Sequence, residues 1–192
     1  KGTSFSYLQR KDKTNLIGIH QAQNSVLAME ATKMFEPKIT EKTIKNGLRK
    51  VFWPGRLELL EDFIYFDVAH NKSSIISVFN TIKTLFPNRD LVVLFCLKAD
   101  KEPSLFAKYF KQNVRKLYIT TDNSKALMDP ITLSGIMHNN GCTNKVFNNI
   151  KEGITKIKFD VKEGAIGLIL GSHFIAEEVY KEFQISFDPD QI

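Results

Sequence analysis

The sequence contains few cysteines, no long apolar run and no recognisable leader. Cys96 and Cys142 are the two cysteines among 192 residues. They are far apart and lack metal-ligand spacing, which predicts free thiols in a reducing, cytoplasmic compartment. The longest apolar block, residues 91–97, has the length of a strand, so no membrane partner is expected. The start has neither a signal-peptide hydrophobic region nor an initiating Met, which predicts that the chain is a fragment.

Two glycine-rich nucleotide motifs are also missing. Neither Gly-x-Gly-x-x-Gly nor Gly-x-x-x-x-Gly-Lys-Ser/Thr occurs, so the sequence offers no dinucleotide fingerprint and no phosphate loop. The net charge is +6, from 27 basic and 21 acidic residues. Because the lysines are spread over the chain instead of forming a stripe, no nucleic-acid partner is expected.

What the sequence does contain is an alternation of apolar strands and amphipathic helices. Strands are predicted at residues 63–66, 91–95, 117–120, 145–147 and 164–170, with helices such as 73–86 between them. This order predicts an α/β fold, a Rossmann-like, mostly parallel sheet with helices on both faces and right-handed crossovers. Before it, residues 4–9 and 15–19 predict a small hairpin joined by a charged turn at 10–13, followed by two helices, the second capped by Thr40.

One strand-to-helix turn carries a cluster of polar groups. Asp67, His70 and Asn71 follow the strand at 63–66, and open α/β sheets bind ligands at the carboxyl ends of their strands. The alternative is that Asp67 or Asn71 only caps the next helix. Upstream, Arg56 follows Pro54 and Gly55, and a turn that presents an arginine suits the recognition of phosphate or carboxylate.

Five segments in a fixed order carry a resemblance to a known family. They are His-Gln-Ala-Gln-Asn at 20–24, Trp-Pro-Gly-Arg-Leu-Glu at 53–58, Asp-Val-Ala-His-Asn at 67–71, Ala-Asp-Lys-Glu at 99–102 and Gly-Ser at 171–172. Together they resemble the folylpolyglutamate synthase and dihydrofolate synthase branch of the Mur ligase family. The resemblance implies that residues 1–52 are a small α+β remnant of the central ATP-binding domain with its linker. Residues 53–192 would then be the C-terminal glutamate-ligase domain.

The resemblance also implies a reaction. Such enzymes use ATP and Mg²⁺ to phosphorylate a carboxylate of folate or dihydropteroate, and the amine of L-glutamate then displaces the phosphate. The phosphate loop and the main metal ligands are expected in the missing N-terminal ATPase domain, so no metal site is assigned here and the fragment alone is expected to be inactive. A monomer is expected. The alternatives are a cell-wall Mur-type amino-acid ligase domain and a non-catalytic nucleotide-binding module.

By the same resemblance, the nucleotide side would comprise Asn24, His20, Gln21, Arg56 and Asp67. The alternative for His20 and Asn24 is that they only cap and brace the start of a helix.

The resemblance assigns catalytic roles to His70 and Asp67. Glutamate would be bound by His70, by Ser172 with the help of a helix N-terminus, and by Asp100 and Lys101. An exposed loop charge pair is the alternative for Asp100 and Lys101.

Some positions depart from the family pattern or stand outside it. Val68 occupies a position where the family usually has glycine, and Lys72 follows where proline is common. A β-branched residue does not take a positive φ cheaply, which predicts ordinary extended backbone at Val68. His173 is interpreted as capping a helix or contacting solvent, and His138 as a residue of a surface helix.

Overall fold

The computed structural model describes residues 2–122 and 125–186. The chain divides into two compact units, with the boundary between Arg56 and Leu57. This division lies four residues after the predicted domain boundary at 52/53, and the assignment of the first unit to an ATP-binding domain stays a prediction. The last residues of the predicted second domain, 187–192, lie outside the described part of the chain.

The first unit consists of a hairpin and two helices. Its elements are β1 (Thr3–Tyr7), β2 (Arg10–Thr14), α1 (Ile19–Phe35) and α2 (Glu41–Lys50). As predicted, Thr40 caps α2, because its side chain accepts a hydrogen bond from the Thr43 N–H. α1 leaves Leu27, Met34 and Phe35 exposed by 71%, 84% and 92%.

The predicted turn of the hairpin was wrong. Tyr7 pairs with Arg10, so the turn falls at Leu8 and Gln9, and the charged residues lie within β2. Along β2, buried Asp12 and Thr14 alternate with exposed lysines. That is the period of a half-buried strand, with polar instead of apolar residues on the buried side, which is why the segment reads as a turn.

The second unit is built around one sheet. Its elements are β3 (Glu58–Glu61), β4 (Ile64–Asp67), α3 (Lys72–Leu85), β5 (Leu91–Phe95), α4 (Ser104–Asn113), β6 (Lys116–Ile119), α5 (Pro130–Asn139), β7 (Asn144–Val146), α6 (Ile150–Lys162), β8 (Ile166–Leu170) and α7 (Ala176–Glu182). The sheet order is β3-β4-β8-β5-β6-β7. β3 is antiparallel to β4, and the other neighbours are parallel. The predicted mostly parallel α/β fold is confirmed, with β3 as an additional edge strand.

Helices cover both faces of this sheet. α4 packs between α3 and α5 on one face, whereas α6 packs on α7 and on β4, β5 and β8. β5 is buried over its whole length. Its Leu94 belongs to the cluster under α6 and α7, and its Phe95 packs against Phe106 and Phe110 of α4, with ring centroids 6.2 and 4.7 Å away. A strand buried on both sides explains the continuous apolar run in the sequence.

A buried carboxylate ties α6 to β6. Asp160 accepts hydrogen bonds from the Tyr118 hydroxyl at 2.6 Å, Lys116 at 2.7 Å and Lys156 at 3.2 Å. Burial acts to raise the pKa of Asp160, but the hydrogen bonds from these partners outweigh it and lower the pKa below its usual value. The charge is therefore retained in the interior because it is fully paired.

The sheet order decides where the polar turns meet. β8 is the last strand of the chain, yet it lies between β4 and β5. The carboxyl ends of these three parallel strands are therefore neighbours at one edge, with strands about 4.8 Å apart. The predicted site segments at 67–71 and 171–172 begin at the ends of β4 and β8, and the segment at 99–102 follows the end of β5 after three residues.

Candidate functional site

The turn between β4 and α3 is held by the Asp67 carboxylate. Asp67 is the last residue of β4 and is 3% exposed. Its Oδ2 accepts a hydrogen bond from the Leu57 N–H and its Oδ1 accepts one from the Ala69 N–H, both at 2.8 Å. Asn71 caps α3, accepting from the Ser74 N–H at 3.0 Å. Of the two proposed caps, Asn71 is the real one, and Asp67 binds other amides.

His70 contacts its own turn through one ring nitrogen. Its Nδ1 lies 2.9 Å from the Val68 carbonyl oxygen. Because a carbonyl only accepts, this contact assigns the proton to Nδ1 and leaves Nε2 as the acceptor of the neutral ring. Val68 avoids positive φ, as predicted. The half-buried imidazole is thus oriented by its Nδ1 contact.

The turn after β8 is the tightest point of this edge. Gly171 has φ +119, and a Cβ there would lie 1.7 Å from the Cys96 carbonyl oxygen. Its N–H donates to the Asp67 carbonyl at 3.4 Å, which joins this turn to the one carrying His70. Only a glycine fits such an approach.

Ser172 follows this glycine and is 3% exposed. Its Oγ accepts a hydrogen bond from the Phe174 N–H at 3.2 Å. α7 begins at Ala176, so Ser172 lies four residues before the helix, and its predicted contact with glutamate stays a prediction. His173 does not cap that helix; it is exposed, and its ring lies 4.3 Å from that of Phe174.

The third polar turn, after β5, is an exposed charge cluster. The Asp100 carboxylate pairs with Lys98 at 3.3 Å and Lys101 at 3.5 Å. Desolvation acts to raise the pKa of Asp100, but the hydrogen bond from Lys98 and the charge of Lys101 outweigh it and lower the pKa. The structure therefore shows the charge pair that was the alternative interpretation, and a ligand contact by Asp100 or Lys101 stays a prediction.

Three of the predicted nucleotide-side residues, His20, Gln21 and Asn24, lie in the first turns of α1. Gly18, and neither His20 nor Asn24, is the N-cap. The amide of Asn24 donates to the Gln21 side chain at 3.2 Å, which braces the turn. His20 is half-buried, and its Nδ1 has no hydrogen-bond partner among the residues that the structure describes.

Arg56 lies within electrostatic range of His20. Burial first, and the positive charge of Arg56 second, lower the pKa of His20 below its ordinary value of 6.5. Arg56 and the His20 ring are therefore electrostatically coupled within this unit, and their contact with a nucleotide stays a prediction.

This proximity predicts a pH effect. Arg56→Ala is expected to raise the pKa of His20 while leaving it below 6.5, because burial remains. Since the folded pKa lies below the unfolded one, the contribution of His20 to stability is complete above pH 6.5 and is lost as the pH falls. Titration of the His20 ring followed by NMR measures its pKa in the wild type and in Arg56→Ala. Arg49→Ala, an exposed arginine of α2, is the control, and an unchanged His20 titration in Arg56→Ala would contradict the assignment.

Neither a metal centre nor a spanning helix is found in ranges 2–122 and 125–186. Those residues include no group of three or more His, Cys, Asp or Glu side chains that would hold a metal ion. Both oxygens of Asp67, the most buried carboxylate at the carboxyl edge, already accept backbone N–H groups. The described residues therefore do not fit a resident Mg²⁺ site. None of the described helices is both long and apolar enough to cross a bilayer.

Two residues of the site were given no role of their own from the sequence, although both lie in quoted motif segments. Leu57, 1% exposed, has φ +48 and gives its N–H to Asp67. No sequence signal marks it, because leucine rarely adopts a left-handed conformation. The close approach at Gly171 did have a signal, since a glycine at the end of an apolar strand often marks backbone proximity.

The fold and this edge define a class of protein: a doubly wound α/β domain with polar turns at the carboxyl ends of three neighbouring strands. The family model described as "Mur ligase, glutamate ligase domain" matches residues 55–173. That match covers more than half of the chain, which therefore belongs to the glutamate ligase domain family of Mur ligases.

Individual relatives lie within the same branch. The dihydrofolate synthase/folylpolyglutamate synthase of Bacillus subtilis is 36% identical over 95 residues, which are 46% of this chain and 22% of that protein. The folylpolyglutamate synthase of Lacticaseibacillus casei is 32% identical over 117 residues, 55% of this chain and 27% of that protein. The resemblance found in the sequence motifs is thereby confirmed.

A solved structure shows the same fold. The folylpolyglutamate synthase of Mycobacterium tuberculosis complexed with ADP and AMPPCP matches with a TM-score of 0.83 and 20% identity, over 92% of this chain and 42% of that one. The chain thus spans less than half of the length of the relatives that it matches.

Proposed function

We propose that the chain is the C-terminal part of an ATP-dependent ligase that joins L-glutamate to folate, to dihydropteroate or to both. The observation that carries the proposal is the sheet order, which makes neighbours of β4, β8 and β5, the strands that precede His70, Ser172 and Asp100. Membership of a glutamate ligase domain family and the names of the bacterial relatives support glutamate as the amine.

The proposed reaction passes through an acyl phosphate. ATP phosphorylates a carboxylate of the acceptor; the glutamate nitrogen then attacks the carbonyl carbon, the C–N bond forms, and the bond to phosphate breaks. The nitrogen must lose protons to attack and to finish as an amide. His70 is the proposed base, because its Nε2 is the acceptor nitrogen once Nδ1 donates to the Val68 carbonyl.

Binding roles follow from charge and position. We assign Arg56 to phosphate, where its planar fork makes two hydrogen bonds at once, with His20, Gln21 and Asn24 on the nucleotide side. Ser172, Asp100 and Lys101 are assigned to glutamate, and Asp67 to the nucleotide and the reacting end. The ADP and AMPPCP complex of the mycobacterial relative supports a nucleotide site in this branch.

The remaining machinery is proposed to lie in an N-terminal ATPase domain of the same chain. That part would supply the phosphate loop and hold Mg²⁺, since the described residues fit neither. The exposed apolar side chains of Leu27, Met34 and Phe35 on α1 suit packing against the rest of such a domain. The fragment alone would then turn over no ATP, because the reactants stay unpositioned. A reducing, cytoplasmic compartment accords with the two buried free thiols, and a monomer is proposed.

A ligation assay on the full-length parent tests the proposal. ATP, Mg²⁺ and labelled glutamate are combined with dihydropteroate, tetrahydrofolate or a cell-wall precursor as acceptor. Incorporation with either of the first two supports the proposal, and their relative rates name the acceptor. Activity only with the cell-wall precursor would favour the Mur-type alternative. Nucleotide binding without ligation of any acceptor would favour the other alternative, a non-catalytic nucleotide-binding module.

A further inference from the structure

One hydroxyl holds the backbone that leads from the hairpin into α1. Thr3 lies in β1, and its Oγ1 donates a hydrogen bond to the Leu16 carbonyl oxygen at 2.9 Å. The same oxygen accepts a hydrogen bond from the Gly18 N–H at 2.8 Å. Because a hydroxyl has one donor and two acceptor positions, a single threonine serves both groups. Thr3 thus holds two residues of the loop before α1, 13 and 15 positions later in the chain.

Gly18, which the second of these bonds holds, is the residue from which α1 begins. It is the N-cap of the helix and has φ +116, a conformation that glycine adopts at no steric cost. Glycine has no side chain to cap the helix in the way that Thr40 caps α2. The Gly18 carbonyl accepts the first helical bonds, from the Gln21 N–H at 3.0 Å and the Ala22 N–H at 3.3 Å. In place of a side-chain cap, the contact that fixes Gly18 comes from the Thr3 hydroxyl.

The same loop is also bonded to the end of α2. The Asn15 N–H donates to the Leu48 carbonyl oxygen at 2.9 Å, and the Asn15 side-chain amide donates to the Val51 carbonyl oxygen at 3.1 Å. α2 ends at Lys50, and the chain then continues to Arg56. The loop therefore connects the start of α1 with the segment that leads to Arg56, and the Thr3 hydroxyl is its attachment to β1.

We propose that Thr3 is a positioning residue for nucleotide binding. Its hydroxyl sets the start of α1, whose first turns carry three proposed nucleotide-side residues, His20, Gln21 and Asn24. The inference rests on the proposed function, because it gives Thr3 an action through these residues in an ATP-dependent ligase. Without the hydroxyl, the start of α1 loses its hydrogen bond to β1 and its first turn loosens. Nucleotide affinity then falls, whereas the turns after β4, β8 and β5 are unchanged.

Thr3→Val tests the contact on the chain itself. Valine is branched like threonine and suits a strand, but it has no hydroxyl. Hydrogen exchange of the Gly18 amide is expected to accelerate about 10-fold, the effect of one lost neutral hydrogen bond. Thr32→Val is the matched control, because Thr32 also uses its hydroxyl, in a 2.7 Å bond to the Ala28 carbonyl oxygen within α1. It should leave exchange at Gly18 unchanged.

The titration of His20 reports whether the first turn of α1 is loosened. Burial is the main cause that lowers the pKa of His20 below 6.5. Thr3→Val should therefore raise this pKa toward 6.5, because a loosened turn exposes the ring to water. NMR titration measures the pKa, and an unchanged His20 titration or unchanged exchange at Gly18 would overturn the proposal.

Two further variants make the result specific to the hydroxyl. Thr3→Ser keeps the hydroxyl and should keep exchange at Gly18 and the titration of His20 close to those of the wild type. If Thr3→Ser is altered as much as Thr3→Val, the methyl group matters and the proposal is overturned. If Thr3→Val does not fold, Thr3→Ala removes the same hydroxyl with a smaller side chain and is measured in its place.

Nucleotide binding by the full-length parent connects the contact to function. Thr3→Val is expected to raise the Kd for ATP about 10-fold, because the binding-competent start of α1 is then populated to about one tenth. Thr32→Val and Thr3→Ser should keep the wild-type Kd, and kcat at saturating ATP should change little in all three variants. A lower kcat with an unchanged Kd for ATP would overturn the proposal. If the wild-type parent binds ATP but ligates no glutamate, the proposed function fails, whereas the comparison of Kd values still decides the role of Thr3.

Discussion

His70→Ala in the full-length parent is expected to lower the kcat of glutamate ligation by about 10²- to 10⁴-fold, the range for a general base. The imidazole is oriented by the 2.9 Å contact between Nδ1 and the Val68 carbonyl, so Nε2 is the nitrogen that would accept a proton. The KM for ATP should change little, because His70 itself is not among the proposed nucleotide-side residues. Initial rates with labelled glutamate measure both constants.

Two companion variants make this result specific. His138→Ala removes an exposed histidine of α5 and should keep the wild-type rate. His70→Asn retains an N–H that can donate to the Val68 carbonyl but has no basic nitrogen, so it should be as slow as His70→Ala. A nearly active His70→Asn would show that His70 braces the turn and is not the base.

The fold was predictable because the relevant signals are local. Five parallel strands, their intervening helices and the caps at Thr40 and Asn71 follow from apolar period and cap chemistry within a few residues. The edge strand β3 was not predicted, because its four residues alternate between partly buried and exposed side chains and form no continuous apolar run. β2 was not predicted either, because the residues on its buried side are polar.

The arrangement of the site was not predictable from the chain in the same way. The sequence motifs identify the candidate site residues. Their proximity, however, depends on β8 lying between β4 and β5, which brings the turns after these three strands next to one another. The left-handed Leu57 is set by tertiary contacts against its own preference, so no local pattern reports it. The start of the last helix was also placed too early, since residues 173–175 precede α7.

Gly171→Ala is expected to be the most damaging small substitution at this edge. A Cβ at Gly171 would lie 1.7 Å from the Cys96 carbonyl oxygen and 2.9 Å from the Phe95 ring, and both neighbours belong to the buried centre of the sheet. Because backbone and core must shift in addition to the positive-φ cost, the free energy of unfolding should fall by about 3–5 kcal/mol. Urea unfolding of the chain followed by circular dichroism measures the change.

Gly164→Ala is the matched control for this prediction. Gly164 has φ +101, similar to the +119 of Gly171, but a Cβ there meets no atom within 4 Å. Gly164→Ala should lower the free energy of unfolding only by the cost of a positive φ at a residue with a Cβ, about 1–2 kcal/mol. The difference between the two variants isolates the approach of Gly171 to Cys96, and equal losses would mean that this approach is not tight. The same contact holds the Ser172 turn against β5, so Gly171→Ala should also abolish glutamate ligation in the parent, whereas Gly164→Ala should retain it.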